Sequence, residues 1–251
     1  MDFIEVNSEI GQLEGVVLHT PGVEIERMTP ENIHEALYSD LLNLNIAKKE
    51  YANFEGVLSK WTKTYQVVDL LTEVLENKTV KADLLDKILA KEERQFLFVE
   101  LSEQPANVLA KFLIEGYPYI EGVHPKEFAK GRYMLNPLYN LFFTRDASSS
   151  VYDQVLIHSM STDVRDRESY IMEAIFKNIF GATTINPKLS EGANTEGGDV
   201  LIAREDVLFI GNGSRTNKQG IDFLTKYFAS RKDCQHIIVQ ELPTSPESFI
   251  H

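Results

Sequence analysis

The sequence is poor in several features that define common classes of protein. It holds one cysteine, Cys234, so it can form no internal disulfide and no cysteine-cluster metal site. Its 25 basic residues face 38 acidic ones, and the net charge of -13 disfavours binding to a nucleic acid backbone. No apolar run approaches the ~20 residues of a membrane span, and the N-terminus lacks the layout of a signal peptide. These absences predict a soluble, cytoplasmic protein without nucleic acid or membrane partners.

Apolar residues are abundant, at 43% of the chain, which is enough for one large domain or two small ones. Residues 15–20 predict a buried strand, and residues 65–70 predict another. Between them, helical spacing of apolar residues predicts a helix with one buried face, made of Ala47, Tyr51, Phe54, Leu58 and Trp61. From 71 to 116 helical patterns dominate. We therefore predict a helical insertion, 71–116, in an α/β domain formed by 1–70 and 117–251.

The C-terminal half shows the same order of elements twice. The first copy has strands at 141–144 and 154–158 around a turn at 147–150, then a helix at 167–180 and a strand at 182–185. The second has strands at 199–202 and 206–210, a helix at 217–230 and a strand at 236–240. A repeat of supersecondary units favours a radial or barrel-like α/β assembly over one open Rossmann sheet. No glycine-rich phosphate loop argues otherwise.

Two short segments place carboxylates beside these strands. Asp146 follows the apolar run 141–143, and Arg145 next to it could neutralise it in a structural ion pair. Glu196 and Asp199 are separated by two glycines, which permit positive φ and the close approach of a ligand. Gly-Gly is also a common hairpin turn, however. Each segment taken alone fits a structural role as well as a binding site.

Arginines stand before the helix of each copy. Arg165 and Arg167 precede or open the first helix, and Arg215 precedes the second. A guanidinium pairs with carboxylates in bidentate fashion, and an arginine in turn holds a carboxylate well. Paired carboxylates and paired arginines that converge on one pore would therefore suit a ligand that carries both groups. Free arginine is such a ligand.

Three motifs in this order resemble those of bacterial arginine deiminases, which belong to the guanidine-modifying (pentein) superfamily. They are Phe142-Phe-Thr-Arg-Asp146, Glu196-Gly-Gly-Asp199 and Ser214-Arg-Thr216. The resemblance covers the whole chain and includes the helical insertion that distinguishes this family. It implies a pentein-type α/β propeller of repeated ββαβ units, of which about three of five lie in this chain. It also implies hydrolysis of L-arginine to L-citrulline and ammonia without a metal or other cofactor, in a protein that forms homo-oligomers.

The resemblance assigns the polar end of the pocket to four residues. Asp146 and Glu196 would hold the guanidinium nitrogens, and Asp199 would support this end of the pocket. His251 matches the family's histidine, which acts as acid and base. These four residues are therefore expected to lie together around the reacting group.

The rest of the substrate would be held by other residues. By the same resemblance, Arg165 and Arg215, with Asn140, would bind the α-carboxylate. Arg167 is a close competitor of Arg165 for this role. Phe143 would pack against the methylene chain of the substrate.

The nucleophile of the family mechanism is a cysteine thiolate that attacks the guanidinium carbon. Ser248-Phe-Ile-His251 matches the first half of the family's histidine segment, but the aspartate two positions later is not among these 251 residues. The segment that carries the nucleophile is not among them either. Cys234 lies in a polar connection, and we interpret it as structural. We interpret the histidines other than His251 in the same way. We therefore expect this chain to be inactive by itself.

Alternatives stay open. A dimethylarginine hydrolase or an amidinotransferase would share the Arg-Asp and Gly-Gly-Asp signals, although the helical insertion argues against the first. A non-catalytic arginine-binding module would bind arginine without turnover. A purely structural protein would do neither.

Overall fold

The computed structural model describes residues 4–34, 36–129, 131–187, 191–243 and 251. Its internal contacts divide the chain into two compact units. The helical unit comprises Leu13–Phe143, and the repeat unit comprises Met1–Gln12 with Thr144–His251. The predicted division, with 71–116 as an insertion into one α/β domain, stays a prediction.

The helical unit contains six helices and two small pairs of strands among its described residues. Its elements are β1 Gly15–Leu18, α1 Val23–Glu26, α2 Leu44–Leu58, β2 Lys63–Gln66, α3 Val67–Glu76, α4 Lys78–Lys91, α5 Phe98–Ser102, α6 Ala106–Glu115, β3 Tyr117–Pro118 and β4 Tyr133–Leu135. Strands β1 and β2 are parallel, and β3 and β4 are antiparallel. Most of 71–116 is helical, in agreement with the pattern of its sequence.

The strand predicted at 65–70 is wrong beyond its first two residues. Strand β2 ends at Gln66, and helix α3 begins at Val67. The reason is the spacing of five apolar residues that α3 buries: Val67, Leu70, Leu71, Val74 and Leu75. Steps of three, one, three and one place them on one helical face, which no strand could bury together.

Helix α2 forms where the sequence predicts it, but its predicted apolar face is only partly buried. Leu44 is the buried residue of this helix. Phe54 is 52% exposed and Trp61, just beyond the helix, is 80% exposed. The predicted helix is therefore confirmed, whereas Phe54 and Trp61 do not belong to a buried face.

The repeat unit consists of short helices and two three-stranded sheets. Its elements are α7 Thr144–Ala147, β5 Ser148–Val151, β6 Gln154–Ile157, α8 Asp166–Asn178, β7 Thr183–Ile185, β8 Val200–Arg204, β9 Val207–Asn212, α9 Lys218–Phe228 and β10 His236–Glu241. Its described helices include none long and apolar enough to cross a membrane, and the same holds for those of the helical unit.

The two sheets repeat one topology. The strand orders are β5-β6-β7 and β8-β9-β10. In each sheet the first two strands form an antiparallel hairpin, and a helix then connects the second strand to a third that runs parallel to it. The repeated ββαβ order and the α/β fold class are therefore confirmed. Closure of such units into a five-bladed propeller stays a prediction.

The first strand of the first repeat lies later in the chain than the sequence indicates. Residues 141–144, predicted as a strand, form a turn and the start of α7. The strand is β5, on the serines expected to form a turn, and the reversal occurs at Tyr152, whose φ is 56°. Ser148 and Ser149 are buried, and β5 pairs with β6 in the register Ser148↔Ile157. Polar residues in a buried strand gave no hydrophobic pattern to find.

The core of the repeat unit is shared by both repeats. It joins side chains from the first hairpin, the second hairpin and helix α9. The buried members include Val151, Leu156, Val200, Leu208, Ile210, Ile221, Leu224 and Phe228. Helix α9 contributes Ile221, Leu224 and Phe228, the inward face that its sequence predicts. The two ββαβ units therefore pack as one body and present their connecting loops together.

Candidate active site

A short helix carries the first carboxylate of the site. Asp146 lies in α7, directly before β5, and its side chain is 15% exposed. Its Oδ2 accepts a hydrogen bond from Nη1 of Arg165 at 2.8 Å. The neighbouring Arg145 pairs with Glu9 of the N-terminal segment, with Nη2 and Oε1 2.9 Å apart. The partner of Asp146 is thus Arg165, and Arg145 is used elsewhere.

The second carboxylate is fully buried. Oε1 of Glu196 accepts a hydrogen bond from the hydroxyl of Ser161 at 2.8 Å, and Nη1 of Arg215 lies 3.7 Å from the same oxygen. The backbone N–H of Glu196 donates to Oγ1 of Thr216 at 3.1 Å. The other oxygen, Oε2, is buried and has no hydrogen-bond partner among the described residues. Nη1 of Arg165 is 3.8 Å from it. Such an oxygen is costly to bury until a donor reaches it.

The two glycines after Glu196 are required by close packing. Their φ angles lie outside the left-handed region, so the expected use of positive φ does not occur. A Cβ on Gly197 would lie 2.0 Å from the carbonyl oxygen of Arg145, and a Cβ on Gly198 would lie 2.5 Å from the ring of His251. Glycine at both positions therefore lets the Glu196 segment approach the Asp146 segment and a histidine ring.

His251 bridges two carboxylates at the open side of the cluster. Its Nδ1 lies 3.3 Å from Oδ1 of Asp199, and its Nε2 lies 3.5 Å from Oδ1 of Asp146. Burial by itself would lower the pKa of His251, but a hydrogen bond to Asp199 and the charges of Asp146, Asp199 and Glu196 outweigh it and raise the pKa. The imidazole is therefore held closer to its protonated form than a free histidine.

The two repeats deliver one arginine each to this cluster. Arg165 ends a 3₁₀ turn before α8 and bonds Glu168, with Nη2 and Oε2 2.8 Å apart, as well as Asp146. Burial opposes its charge, but these two carboxylates raise its pKa further above the ordinary value. Arg215 is more exposed, at 17%, and its Nη1 donates to the hydroxyl of Ser161 at 3.3 Å. Arg167 is buried as well. The contacts of Arg165 with Asp146 and Glu196 place Arg165 in the cluster, and the choice between the two arginines as a ligand of the α-carboxylate stays a prediction.

Two predicted substrate-binding residues belong to the helical unit. Asn140 is buried, and its Nδ2 donates to the carbonyl oxygen of Ala36 at 3.0 Å. Phe143 is 47% exposed, and its ring centre lies 4.2 Å from that of Phe142. Their roles toward a substrate stay predictions.

Sequence reasoning missed several residues that hold the site together. Glu168, which is buried and pairs with Arg165, stands three residues after it on the same helix side. That spacing was a usable signal, because residues three apart on a helix are neighbours. Ser161 gave no signal, since an isolated hydroxyl has no pattern. Thr216 stands in the motif Ser214-Arg-Thr216, but its hydrogen bond with the backbone of Glu196 was not predicted.

A cation could be held at the centre of this cluster. Asp146, Glu196 and His251 each offer one ligand atom, and these atoms lie within 4.8 Å of one another. Carboxylate and imidazole ligands also suit a metal ion. The guanidinium of Arg165 already lies next to both carboxylates, which weighs against a second, doubly charged ion by Coulomb repulsion. A planar, singly charged cation fits the site better.

The fold and site thus define an α/β repeat protein with a buried acidic cluster flanked by arginines. Comparison with known proteins gives its family. Residues 34–251 match the family model for arginine deiminase. The arginine deiminase of Metamycoplasma arthritidis is 34% identical over 92% of this chain, and that of Staphylococcus aureus is 32% identical over 99%. The chain belongs to the arginine deiminase family, as its motifs predict.

The chain spans 59% and 65% of the lengths of these two relatives. Solved structures give weaker likenesses. An amidinotransferase from Microseira wollei has a TM-score of 0.47 and 14% identity, with 95% of this chain and 62% of that chain covered. A dimethylarginine dimethylaminohydrolase from Pseudomonas aeruginosa, in complex with citrulline, has a TM-score of 0.37 and 15% identity, with 52% and 57% covered. The family assignment rests on the family model and the curated relatives.

Proposed function

We propose that this chain carries the guanidinium-binding part of an arginine deiminase, an enzyme that hydrolyses L-arginine to L-citrulline and ammonia. In this proposal Asp146 and Glu196 bind the guanidinium nitrogens, and Asp199 supports the polar end of the pocket. His251 transfers protons to and from the reacting group. Family membership supports the reaction, and the geometry of the cluster supports the roles of these residues.

The observation that carries the proposal is the open oxygen of Glu196. Among the residues that the structure describes, no hydrogen-bond donor reaches the buried Oε2, which lies close to Asp146 and His251. The cluster also has excess negative charge even when His251 is protonated, because its four carboxylates exceed its two guanidinium groups and one imidazolium: Asp146, Glu168, Glu196, Asp199, Arg165, Arg215 and His251. A substrate guanidinium supplies both the missing donors and a positive charge, in the planar geometry that carboxylates bind best.

The α-carboxylate of the substrate is proposed to bind to Arg165 and Arg215 of the repeat unit. Arg165 already bonds Asp146 and Glu168, so it would have to share its guanidinium with the substrate. Arg215 is more exposed. Its contacts with Ser161 and Glu196 are longer, at 3.3 and 3.7 Å, so it can bind the substrate carboxylate more easily than Arg165 can. Phe143 would pack against the methylene chain.

His251 is suited to acid–base work, because a general acid or base acts best when its pKa is near the working pH. Its carboxylate partners favour the imidazolium, which can donate a proton to departing ammonia. After that transfer, the neutral imidazole can accept a proton from an attacking water. The same carboxylates keep the ring in one orientation through both steps.

Cys234 does not supply the nucleophile in this proposal. It is 8% exposed, its Sγ lies 3.8 Å from the carbonyl oxygen of His236, and burial raises the pKa of its thiol. A thiol with a raised pKa yields little thiolate, which is the reactive form. We therefore expect the 251-residue chain to bind arginine without hydrolysing it.

Calorimetric titration of L-arginine into this chain tests the proposal. Each substitution, Asp146→Asn or Glu196→Gln, removes the charge of a carboxylate proposed to bind the guanidinium. A charge-assisted hydrogen bond contributes roughly 1.5–3 kcal/mol, so each change should weaken binding by about tenfold to a hundredfold. Asp222→Asn is the matched control, because Asp222 is an exposed carboxylate on α9 in the same unit.

Two results would contradict the proposal. The first is that the Glu196→Gln and Asp222→Asn variants bind arginine with equal affinity. The second is tighter binding of dimethylarginine than of arginine, which would favour a dimethylarginine hydrolase. A citrulline assay at high protein concentration completes the test, since turnover by this chain would disprove its expected inactivity.

A further inference from the structure

A buried histidine that the proposed reaction does not use lies behind the site. His158 follows β6 and is 0% exposed. Both ring nitrogens are bonded to hydroxyls, Nε2 to Oγ of Ser149 at 2.8 Å and Nδ1 to Oγ1 of Thr195 at 3.0 Å. A neutral imidazole has one donor and one acceptor, so two hydroxyl partners satisfy it completely.

The pair of Ser149 and His158 has the spacing of a nucleophile and its general base. Burial excludes that role in the folded protein. Ser149 is 5% exposed and Thr195, the third member, is 0% exposed. No substrate carbonyl or guanidinium carbon can reach the serine, so the network holds structure in place.

The network of Ser149, His158 and Thr195 contacts the segment that carries Glu196. Thr195 directly precedes Glu196, and its backbone N–H donates to the carbonyl oxygen of Ser159 at 2.9 Å. A Cβ on Gly197, the next residue after Glu196, would lie 3.1 Å from Nε2 of His158. The imidazole therefore touches the chain on both sides of the buried carboxylate. It adds a side-chain contact to those that Ser159 and Ser161 make with the same segment.

The charge state of His158 fits this role. Burial, together with the nearby charges of Arg145 and His251, lowers the pKa of His158 to about 3. The ring therefore stays neutral while His251, which shares the site, changes its charge. A support that does not titrate keeps the same hydrogen bonds at every working pH.

We propose that His158 is a positioning residue that fixes Glu196 through Thr195, and that this support sets the affinity of the site for a guanidinium ligand. The functional half rests on the proposed binding of arginine at Glu196. The structural half does not, because it concerns the order of the 195–199 segment in the free protein.

Thr195→Val tests both halves, since it removes the hydroxyl that bonds Nδ1 and leaves the branched shape of the side chain. Thr162→Val is the matched control: Oγ1 of Thr162 is also buried but has no hydrogen-bond partner among the described residues. Hydrogen exchange of the amides at 195–199 measures the order of the segment. Calorimetry with L-arginine measures affinity. Thr195→Val removes the bond to His158 and also the longer bond, at 3.4 Å, that Oγ1 of Thr195 accepts from the backbone N–H of Ser159. Loss of buried hydrogen bonds of about 1–1.5 kcal/mol each predicts at least about tenfold faster exchange and about tenfold weaker binding in Thr195→Val, with both unchanged in Thr162→Val. Ser149→Ala should change both in the same direction, because it acts on the ring of His158 and leaves the contact between Thr195 and Ser159 intact.

The outcomes separate the two halves. Unchanged exchange at 195–199 in Thr195→Val overturns the positioning role. Faster exchange with unchanged arginine affinity overturns its functional importance. If the unmodified chain does not bind arginine, the proposed function fails, and the exchange data alone decide whether His158 positions the segment. Ser149→Ala, which breaks the other hydrogen bond of the ring, provides a second variant should Thr195→Val not fold.

Discussion

The two repeats share a topology and yet use their arginines differently. In the first repeat, Arg165 is bonded to Glu168 and Asp146, and its side chain is 5% exposed. In the second, the side chain of Arg215 is 17% exposed, and its Nη1 lies 3.7 Å from Oε1 of Glu196. A buried, multiply bonded arginine holds carboxylates in place, whereas a looser one keeps donors for a ligand. Equivalent sequence positions therefore do not imply equivalent roles, because the neighbours decide the role.

The repeats differ again where their second strands end. The registers Ser148↔Ile157 and Val200↔Ile210 make His158 the counterpart of Gly211. His158 fills its position with a ring that supports Glu196. Gly211 leaves its position to a carboxylate, since a Cβ there would lie 2.7 Å from Oδ1 of Asp199. One repeat thus contributes support and the other contributes space for a charged group.

The largest contrast is expected in stability. Arg165→Met should lower the free energy of unfolding by roughly 3–5 kcal/mol, because it leaves the buried Glu168 carboxylate without its partner. Arg215→Met, at a more exposed site, should change it by less than about 1 kcal/mol. Urea unfolding followed by circular dichroism measures both. Equal losses in the two variants would remove the distinction between the arginines.

The second contrast concerns the ligand. Arg215→Lys should weaken the binding of L-arginine by about tenfold, since lysine cannot bind a carboxylate in bidentate fashion. Agmatine, which is arginine without its α-carboxylate, should bind the variant and the unmodified chain alike. Calorimetric titrations with both ligands make the comparison. If Arg215→Lys weakens the binding of arginine and agmatine equally, Arg215 contacts the guanidinium end of the ligand instead.

The third contrast is a pH dependence that a buried histidine gives to the first repeat. The pKa of folded His158 is about 3, below the ordinary value of 6.5. Between these values the unfolded chain binds more protons, so the protein should lose stability as the pH falls from about 6.5 toward 3. His158→Gln should flatten this dependence in thermal unfolding measured between pH 6.5 and 4. His236→Gln, at an exposed histidine of β10, is the control and should leave the slope unchanged.

The smallest effect is expected at Cys234 in the second repeat. Cys234→Ser should leave arginine affinity unchanged within about twofold, because the thiol is buried away from the carboxylate cluster in the core formed with Phe228 and Tyr152. Calorimetry and a citrulline assay check this. If the unmodified chain forms citrulline and Cys234→Ser abolishes this activity, the thiol of Cys234 takes part in the reaction.

Much of the fold was readable from local patterns. The helices α2, α8 and α9 and the hairpin of β8 and β9 lie close to where the spacing of apolar residues predicts them. Strand β5 was missed because its buried serines carry no hydrophobic signal. The helix at Val67 was taken for a strand, because its first apolar residues also fit a short buried run. In both errors tertiary packing overrode the local pattern.

For the site, motif and structure divide the information in a different way. The motifs and the resemblance named six residues that the structure gathers in the repeat unit: Asp146, Arg165, Glu196, Asp199, Arg215 and His251. The sequence did not reveal that Arg145 pairs with Glu9. Nor did it show that Gly197 and Gly198 serve close packing rather than positive φ. These facts depend on which atoms meet across the fold.

The sequence by itself determined the family, the repeated order of elements and the residues that carry charge at the site, because periodicity and motifs are local properties of the chain. The tertiary structure decided the partners. Arg165 meets Asp146 across 19 residues, and His158 meets Thr195 across 37. Such pairs form only when folding brings distant loops together, within a repeat or between repeats, and no spacing along the chain encodes them. The physical reason is that burial and hydrogen bonding are settled by neighbours in space.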